Sequence, residues 1–151
     1  MHLAELNIAR ARYDLDDPRM RDFVDRLVQV NAVAERSKGF VWRLKDEDGT
    51  TIALGDDPLL IVNLSVWETA EDLEHFVWNT IHKQVYRRKA EWFPPLGRAH
   101  FVMWHVEAGT VPTVAEAVAR LDYLNEHGSS DHAFGWEGLP HLKTWMEMRC
   151  A

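Results

Sequence analysis

The chain has 151 residues, of which 46% are hydrophobic and 27% are charged, and its formal net charge is −7. These values fit one soluble globular domain over residues 1–151, with a core at about 3–110 and a C-terminal helix and tail at 111–151. No apolar run approaches the roughly 20 residues that span a bilayer, and the excess of acidic residues gives nucleic-acid binding no general support. We therefore expect neither a membrane nor a nucleic acid among the partners.

The N-terminal segment and the cysteine content predict a cytoplasmic protein. Glu5 interrupts the first apolar stretch, and the segment lacks the long hydrophobic run and the cleavage site of an export signal. The single cysteine, Cys150, excludes an internal disulfide and agrees with a reducing compartment.

The first two predicted elements are a strand and a long helix. Residues 3–9 alternate in polarity as a strand does, and residues 18–37 carry the start and stop signals of a helix. Asp17 can cap the first free N–H groups, and Gly39 suits the left-handed position after the last turn. Asn31 lies on the apolar side of this helix, where a polar side chain needs a partner.

The middle of the chain predicts two further strands that form a hairpin. Residues 40–45 and 58–68 have strand character, and residues 46–57 between them are rich in turn formers. The second of these strands is apolar along nearly its whole length, as is typical of a central strand covered on both faces. Asn63 and Ser65 are the polar exceptions within it.

A second helix and a fourth strand follow. Thr69 begins a capping-box pattern, and the helix predicted for residues 70–90 presents an apolar row to the sheet. His82 and Tyr86 fall together on the side of the helix next to that row. The fourth strand is predicted over residues 98–106.

The C-terminal part predicts one more helix and a docked tail. Thr113 opens a second capping box, and the helix should continue to about His127. The tail is too rich in large apolar side chains to remain in solvent. These side chains are Phe134, Trp136, Leu139 and Trp145.

The order of the elements predicts an α+β fold of the ferredoxin-like type, β-α-β-β-α-β, with an antiparallel sheet that carries both main helices on one face. Strands one and three are adjacent in this topology, so Asn7 and Asn63 can form a polar pair on one face. The other face would expose Leu60, Val62, Leu64 and Val66. A second subunit is the simplest cover, which predicts a homodimer, and the C-terminal tail is the alternative.

Four blocks of the sequence carry a resemblance to a known family. They resemble a bacterial family of uncharacterised function that is grouped with the dimeric α+β barrels, and the match extends over about residues 3–125. The resemblance implies a ferredoxin-like dimeric α+β barrel. The blocks are LAELNIAR, DDPRMRDFVDRLVQVNAVAERSKGFVWRLKDEDG, DPLLIVNLSVWE and FVWNTIHKQVYRRKAEWF.

The segment VWETAEDLEHF also resembles the junction between strand and helix in antibiotic-biosynthesis monooxygenases. These are small enzymes that oxidise polycyclic aromatic compounds without metal or flavin, so the resemblance implies such an oxidation. The wider superfamily contains haem enzymes, lactone isomerases and stress-response proteins as well, and its fold alone therefore does not define a reaction.

The candidate ligand site combines polar side chains at the sheet centre with large aromatic rings. His82 is the candidate acid or base, with Tyr86 one helical turn away. Each of these residues has a structural alternative, because amides can satisfy one another in a core and indoles can simply pack. The expected ligand contacts are Asn7, Asn31, Trp42, Asn63, Ser65, Trp67, Trp78 and Trp92.

The leading hypothesis is a protein that binds a small aromatic or otherwise apolar molecule, with oxidation without a cofactor as its finer form. One alternative is a haem protein that uses His82 as the iron ligand. Another is a noncatalytic binding or assembly module whose aromatic rings are only core. No metal site is predicted, because His75 and His82 lie about two helical turns apart and cannot share one ion.

Overall fold

The computed structural model describes residues 1–45, 52–53, 59–79, 87–94 and 97–139, and for residues 52–53 and 79 it describes the backbone only. The strands are β1 His2–Arg10, β2 Phe40–Arg43, β3 Ile52–Ala53, β4 Leu60–Trp67 and β5 Phe101–Val106. The helices are α1 Arg21–Arg36, α2 Ala70–Asn79, α3 Lys89–Trp92 and α4 Val114–His127. Single turns of 3-10 helix occur at Pro18–Met20 and Trp136–Gly138.

The five strands form one sheet in which every pair of neighbours is antiparallel. The strand order is β2-β4-β1-β5, and β3 lies on the same edge of β4 as β2. Asn7 lies directly opposite Asn63 on the neighbouring strand, and Glu5 lies opposite Ser65. The α+β class and the adjacency of the first and third predicted strands are therefore confirmed.

The connection predicted for residues 46–57 contains the short strand β3, which was not expected. Ile52 and Ala53 pair with Val62 and Ile61 of β4. Two residues are too few to show the alternation that identifies a strand in a sequence, so this pairing depends on β4 as a template. The predicted antiparallel pairing of the two longer strands around this connection is present.

The beginning of α1 agrees with the capping signals in the sequence. The Asp17 side chain accepts a hydrogen bond from the Arg19 backbone N–H at 2.8 Å, and a 3-10 turn at Pro18–Met20 leads into the α-helix. Gly39 follows the helix with a φ of 82°, as expected for the turn into β2. A side chain at this position would also collide with the Asp72 carboxylate.

Helices α1 and α2 lie on the same face of the sheet, as the sequence predicts, and this face is called the α1/α2 face below. The side chains buried there interdigitate between sheet and helices. They include Leu3, Trp67 and Met103 from the sheet and Val30, Ala34, Leu73 and Phe76 from the helices.

Helix α4 covers the opposite face, called the α4 face below. The Thr113 hydroxyl accepts a hydrogen bond from the Glu116 backbone N–H at 3.1 Å, which confirms the predicted cap. Val62, Leu64 and Val66 are at most 2% exposed beneath the helix. Helix α4, and not the tail that was the alternative considered, is therefore the main cover of this face, to which the tail adds Ala133. A second subunit is not needed to bury these side chains, and the homodimer itself stays a prediction.

The start of the tail docks on the free edge of β5. Met103 N–H donates to the Phe134 carbonyl at 2.8 Å, and Phe134 N–H donates to the Met103 carbonyl at 3.0 Å. Trp136 and Leu139 then pack against the core on the α1/α2 face. The predicted docking is confirmed for these three side chains, whereas Trp145 lies outside the described residues.

The predicted 70–90 helix is described in part: α2 is described as far as Asn79, and residues 80–86 lie outside the described residues. Strand β5 begins at Phe101 instead of residue 98. The reason is that the Asn125 side chain is hydrogen-bonded to the backbone of Ala99: Asn125 Oδ1 accepts from the Ala99 N–H at 2.8 Å, and Asn125 Nδ2 donates to the Ala99 carbonyl at 3.2 Å. No helix among the described residues is long and apolar enough to cross a membrane.

Candidate functional site

A cavity of about 570 Å³ lies between the α1/α2 face of the sheet and the two helices. This volume is in the range of sites that hold small molecules. The sheet contributes most of the polar lining, and the helices contribute apolar side chains such as Val30, Leu73 and Phe76. Trp136 of the tail also lines the cavity.

The polar lining from the sheet forms two adjacent rows, which together are called the polar floor (Glu5, Asn7, Arg43, Asn63 and Ser65). Strand pairing places Arg43, Ser65 and Glu5 side by side across β2, β4 and β1. The next row contains Asn63 and Asn7. Because residues two apart on a strand project to the same face, all five side chains project toward the helices.

Glu5 is the most buried ionisable group of the polar floor, with 4% of its surface exposed. The Ser65 hydroxyl donates to Glu5 Oε1 at 2.5 Å, and the Trp67 indole N–H donates to Ser65 Oγ at 3.0 Å. Burial raises the pKa of Glu5 to about 8, and the hydrogen bond from Ser65 opposes this with a smaller effect. Glu5 is therefore largely protonated at pH 7.

The structure has Trp67 Nε1 donating to Ser65 Oγ and Ser65 Oγ donating to Glu5 Oε1. In this arrangement Oε1 is an acceptor, so we assign the acid proton of neutral Glu5 to Oε2. Glu5 Oε2 has no hydrogen bond to any residue that the structure describes.

Three amide side chains line the cavity without a hydrogen bond to the described part of the chain. They are Asn7, Asn31 and Asn63. The Oδ1 atom of Asn7 is fully buried and has no hydrogen-bond partner among the described residues. No hydrogen bond joins Asn7 to Asn63, although both are described and lie opposite one another, so mutual satisfaction of the two amides does not explain their place on this face.

Aromatic rings form the walls of the cavity in two groups. Trp67 stacks on Phe76 with a centroid distance of 5.2 Å and contacts Phe40 edge-on at 5.5 Å. Trp136 stacks on Phe101 at 5.4 Å and lies 6.4 Å from Trp78. The tail therefore connects β5 to α2 through its indole and closes one side of the cavity.

Charged groups border the cavity as well. The Arg43 guanidinium, which lies in the same row of the polar floor as Ser65 and Glu5, forms an ion pair with Glu35 at 2.9 Å. Lys45 and Arg43 together lower the pKa of Glu35 through hydrogen bonds to its carboxylate. At the other side of the cavity, desolvation and the positive charge of Lys89 lower the pKa of His100.

Six of the eight predicted ligand contacts line this cavity. They are Asn7, Asn31, Asn63, Ser65, Trp67 and Trp78. Trp92 is elsewhere: it packs on Phe23 with a centroid distance of 5.4 Å and has the Arg88 guanidinium 4.7 Å above its ring. Trp92 therefore does not line this cavity, and its role as a ligand contact stays a prediction.

Trp42 does not line this cavity either, and a β-bulge is the reason. Phe40 pairs with Trp67 and faces the cavity, whereas Trp42 pairs with Val66 and packs against the core on the α4 face. In a regular strand residues 40 and 42 would share a face. The irregularity between them inserts one residue and moves the indole to the other side of the sheet.

The predicted catalytic pair, His82 and Tyr86, lies outside the described residues. Their role as acid or base and the alternative of haem ligation by His82 stay predictions. Within the described ranges, no group of three or more His, Cys, Asp or Glu side chains is arranged to hold a metal ion.

Sequence reasoning missed Glu5, Arg43, Phe101 and Trp136 as lining residues. For Glu5 the signal was present, because a carboxylate in an apolar strand, two residues from Asn7, shares the face of that asparagine. Trp136 carried no such signal, since its place at the cavity depends on the docking of the tail.

Comparison with solved structures shows the same fold in distant proteins. One is described as "Putative antibiotic biosynthesis monooxygenase from Nitrosomonas europaea", with a TM-score of 0.56 and 14% identity over 73% of this chain and 94% of that one. A protein from Shewanella oneidensis matches with a TM-score of 0.54 and 8% identity over 70% and 90% of the two chains. A protein of unknown function from Nitrosomonas europaea matches with a TM-score of 0.51 and 14% identity over 74% of this chain and 95% of that one.

At these identities the likeness extends to the fold and not to the chemistry. None of the curated proteins compared with the chain matches it significantly. A family profile, in contrast, matches almost the whole sequence, over residues 2–150. The chain thus belongs to the family described as "Domain of unknown function (DUF3291)", in agreement with the resemblance found in its sequence blocks.

Proposed function

We propose that the protein binds a small aromatic or otherwise apolar molecule with at least one oxygen function in the cavity above the polar floor. The observation that supports this most directly is a group of three amides inside an aromatic cavity, Asn7, Asn31 and Asn63, which have no hydrogen-bond partner among the described residues. Such a group is a costly feature for a core and a useful one for a ligand site.

The cost can be compared with that of an apolar core. A buried polar group without a partner costs about 1–3 kcal/mol, and Asn7 Oδ1 is such a group among the described residues. An apolar residue of similar size in the place of Asn7 would avoid that cost. The amides are therefore explained better by an occupant that exchanges hydrogen bonds with them while its rings contact Trp67 and Trp136.

Replacing Asn63→Leu tests this proposal with 2-acetylnaphthalene as the probe, an aromatic molecule with one carbonyl. For the wild type we expect the melting temperature to rise with probe concentration, by an amount that corresponds to about 2.7 kcal/mol at 100 times Kd. The variant should lose that rise while melting, without probe, at or above the temperature of the wild type, because it removes an amide that lacks a partner in the described structure.

Trp42→Phe is the matched control, since Trp42 lies on the α4 face and not in the cavity. This variant should keep the response to the probe even if its own melting temperature falls. Equal responses of wild type and Asn63→Leu would remove Asn63 from the site. Absence of a response in all three proteins, with 2-ethylnaphthalene as well, would contradict the proposed function.

The finer form of the proposal is oxidation of the bound molecule without a cofactor. It is supported by the fold shared with the protein described as a monooxygenase and by donors that could stabilise an enolate oxygen, Asn31, Asn63 and the Glu5 acid proton. For anthrone as a probe, one oxygen atom of O₂ would become the new carbonyl of anthraquinone and the other would leave in water. O₂ uptake that depends on both anthrone and Asn63 is the expected result, and uptake equal to that of the buffer would contradict it.

A further inference from the structure

The hydrogen-bond chain from Trp67 through Ser65 to Glu5 has a single direction. Trp67 Nε1 donates to Ser65 Oγ at 3.0 Å, and Ser65 Oγ donates to Glu5 Oε1 at 2.5 Å. Both Ser65 and Trp67 are buried. The chain therefore presents Glu5 to the cavity in one orientation, with Oε1 engaged and Oε2 directed to whatever occupies the space.

We propose that Glu5 recognises the ligand as a hydrogen-bond donor, from Oε2–H to the carbonyl oxygen of a neutral aromatic carbonyl compound. This inference rests on the proposed function, since it names the ligand class and the residue that selects it. A carbonyl is the matching group because it accepts without having a proton of its own to satisfy. The neighbouring Asn63 and Asn31 amides supply N–H donors to any further oxygen on the same molecule.

The charges around the cavity argue against the opposite ligand class, an amine held by an ionised Glu5. Three basic side chains line the cavity, Arg43, Lys89 and Arg98. The acidic side chains that line it are Glu5 and Glu137. Arg43 is paired with Glu35 of α1, whereas the neighbours of Glu5 on β4 and β5 are Ser65 and Met103, which carry no charge. A cationic ligand would meet more positive than negative groups here.

Protonation of Glu5 then controls affinity for the carbonyl. With a pKa of about 8, the protonated fraction falls about tenfold between pH 7 and pH 9, and the apparent affinity should fall by the same factor. The pKa of His100 lies below its ordinary value, so His100 stays neutral over this range. The remaining charged groups of the cavity are common to the wild type and to the variant used for comparison.

Glu5→Gln is that variant, because a glutamine imitates the protonated acid: its carbonyl can accept from Ser65 while its N–H₂ faces the cavity. The measurement is the Kd of 2-acetylnaphthalene by titration calorimetry at pH 7, 8 and 9, with 2-ethylnaphthalene as the probe that lacks the acceptor oxygen. For the wild type we expect about a tenfold loss of affinity for the carbonyl probe across this range. For Glu5→Gln we expect affinity near the wild-type value at pH 7 and no dependence on pH.

Three results would overturn the inference. The first is the same pH dependence in wild type and Glu5→Gln, which would assign the titration to another group. The second is binding of 2-ethylnaphthalene as tight as that of the carbonyl probe at pH 7, which would leave binding of an aromatic molecule in the cavity intact but remove both the required oxygen function and the role of Glu5. The third is affinity of 2-naphthylmethylamine that exceeds that of the carbonyl probe and grows between pH 7 and 9. If neither naphthalene probe binds, the proposed function fails together with this inference.

Discussion

Glu5 is an acidic residue that the fold keeps in its neutral form. Its surroundings are the centre of the sheet and aromatic rings, and its side chain accepts a hydrogen bond from Ser65. Because burial raises its pKa from 4.5 to about 8, the folded protein holds a proton between these values that the unfolded chain releases. This residue therefore makes stability depend on pH in the direction opposite to that of a carboxylate in a salt bridge.

The free energy of unfolding should accordingly fall as pH rises from about 4.5 to about 8 and change little from Glu5 above that. The contribution of this one group has a slope of at most about 1.4 kcal/mol per pH unit. Urea unfolding at pH 5, 7 and 9 measures it as the difference between wild type and Glu5→Gln, whose other titrating groups are the same. A difference that stays constant across the three pH values would show that Glu5 is ionised in the folded protein already at pH 5.

At the scale of elements, the features that could be predicted from the sequence depend on local signals or on simple periodicity. The Thr113 cap and the start of α1 at Asp17 are local, and the structure contains both. The pairing of Asn7 with Asn63 followed from the period of two along each strand and from the antiparallel order of the strands. Three of the five residues of the polar floor, Asn7, Asn63 and Ser65, could thus be placed by these two rules alone.

Strand β2 shows why the rest could not be placed. Its amino-acid sequence contains nothing that distinguishes a regular strand from one with a β-bulge. The bulge between Phe40 and Trp42 moves every following residue of the strand to the opposite face of the sheet. Arg43 joins the polar floor for this reason, and Trp42 leaves it. The contact of Trp136 with Phe101 likewise connects two distant parts of the chain, and no periodicity within either part indicates it.

At the scale of the whole molecule, the sheet is a central layer whose two faces differ in how completely they are filled by side chains. The α4 face is filled: Trp104 is fully buried there, and its indole N–H donates to Glu116 at 3.1 Å. The α1/α2 face combines packed apolar side chains with a cavity above the polar floor. The cavity that we propose as a ligand site and the side chains packed beneath α4 thus lie on opposite faces, so a change on one face can be tested without a direct effect on the other.

Removal of residues 112–151 should expose the α4 face, because α4 is its cover in the described structure. Val62, Leu64 and Val66, now at most 2% exposed, would form a contiguous apolar patch, and such patches associate. Light scattering after size exclusion should therefore show a larger assembly for the truncated chain than for the full chain, whose own predicted state is a homodimer. Leu121→Asp in the full chain is the matched variant, since Leu121 is 3% exposed against this face and a buried charge there should detach α4 without shortening the chain. Identical masses for all three proteins, with circular dichroism showing them folded, would mean that α4 is not what keeps this face from associating.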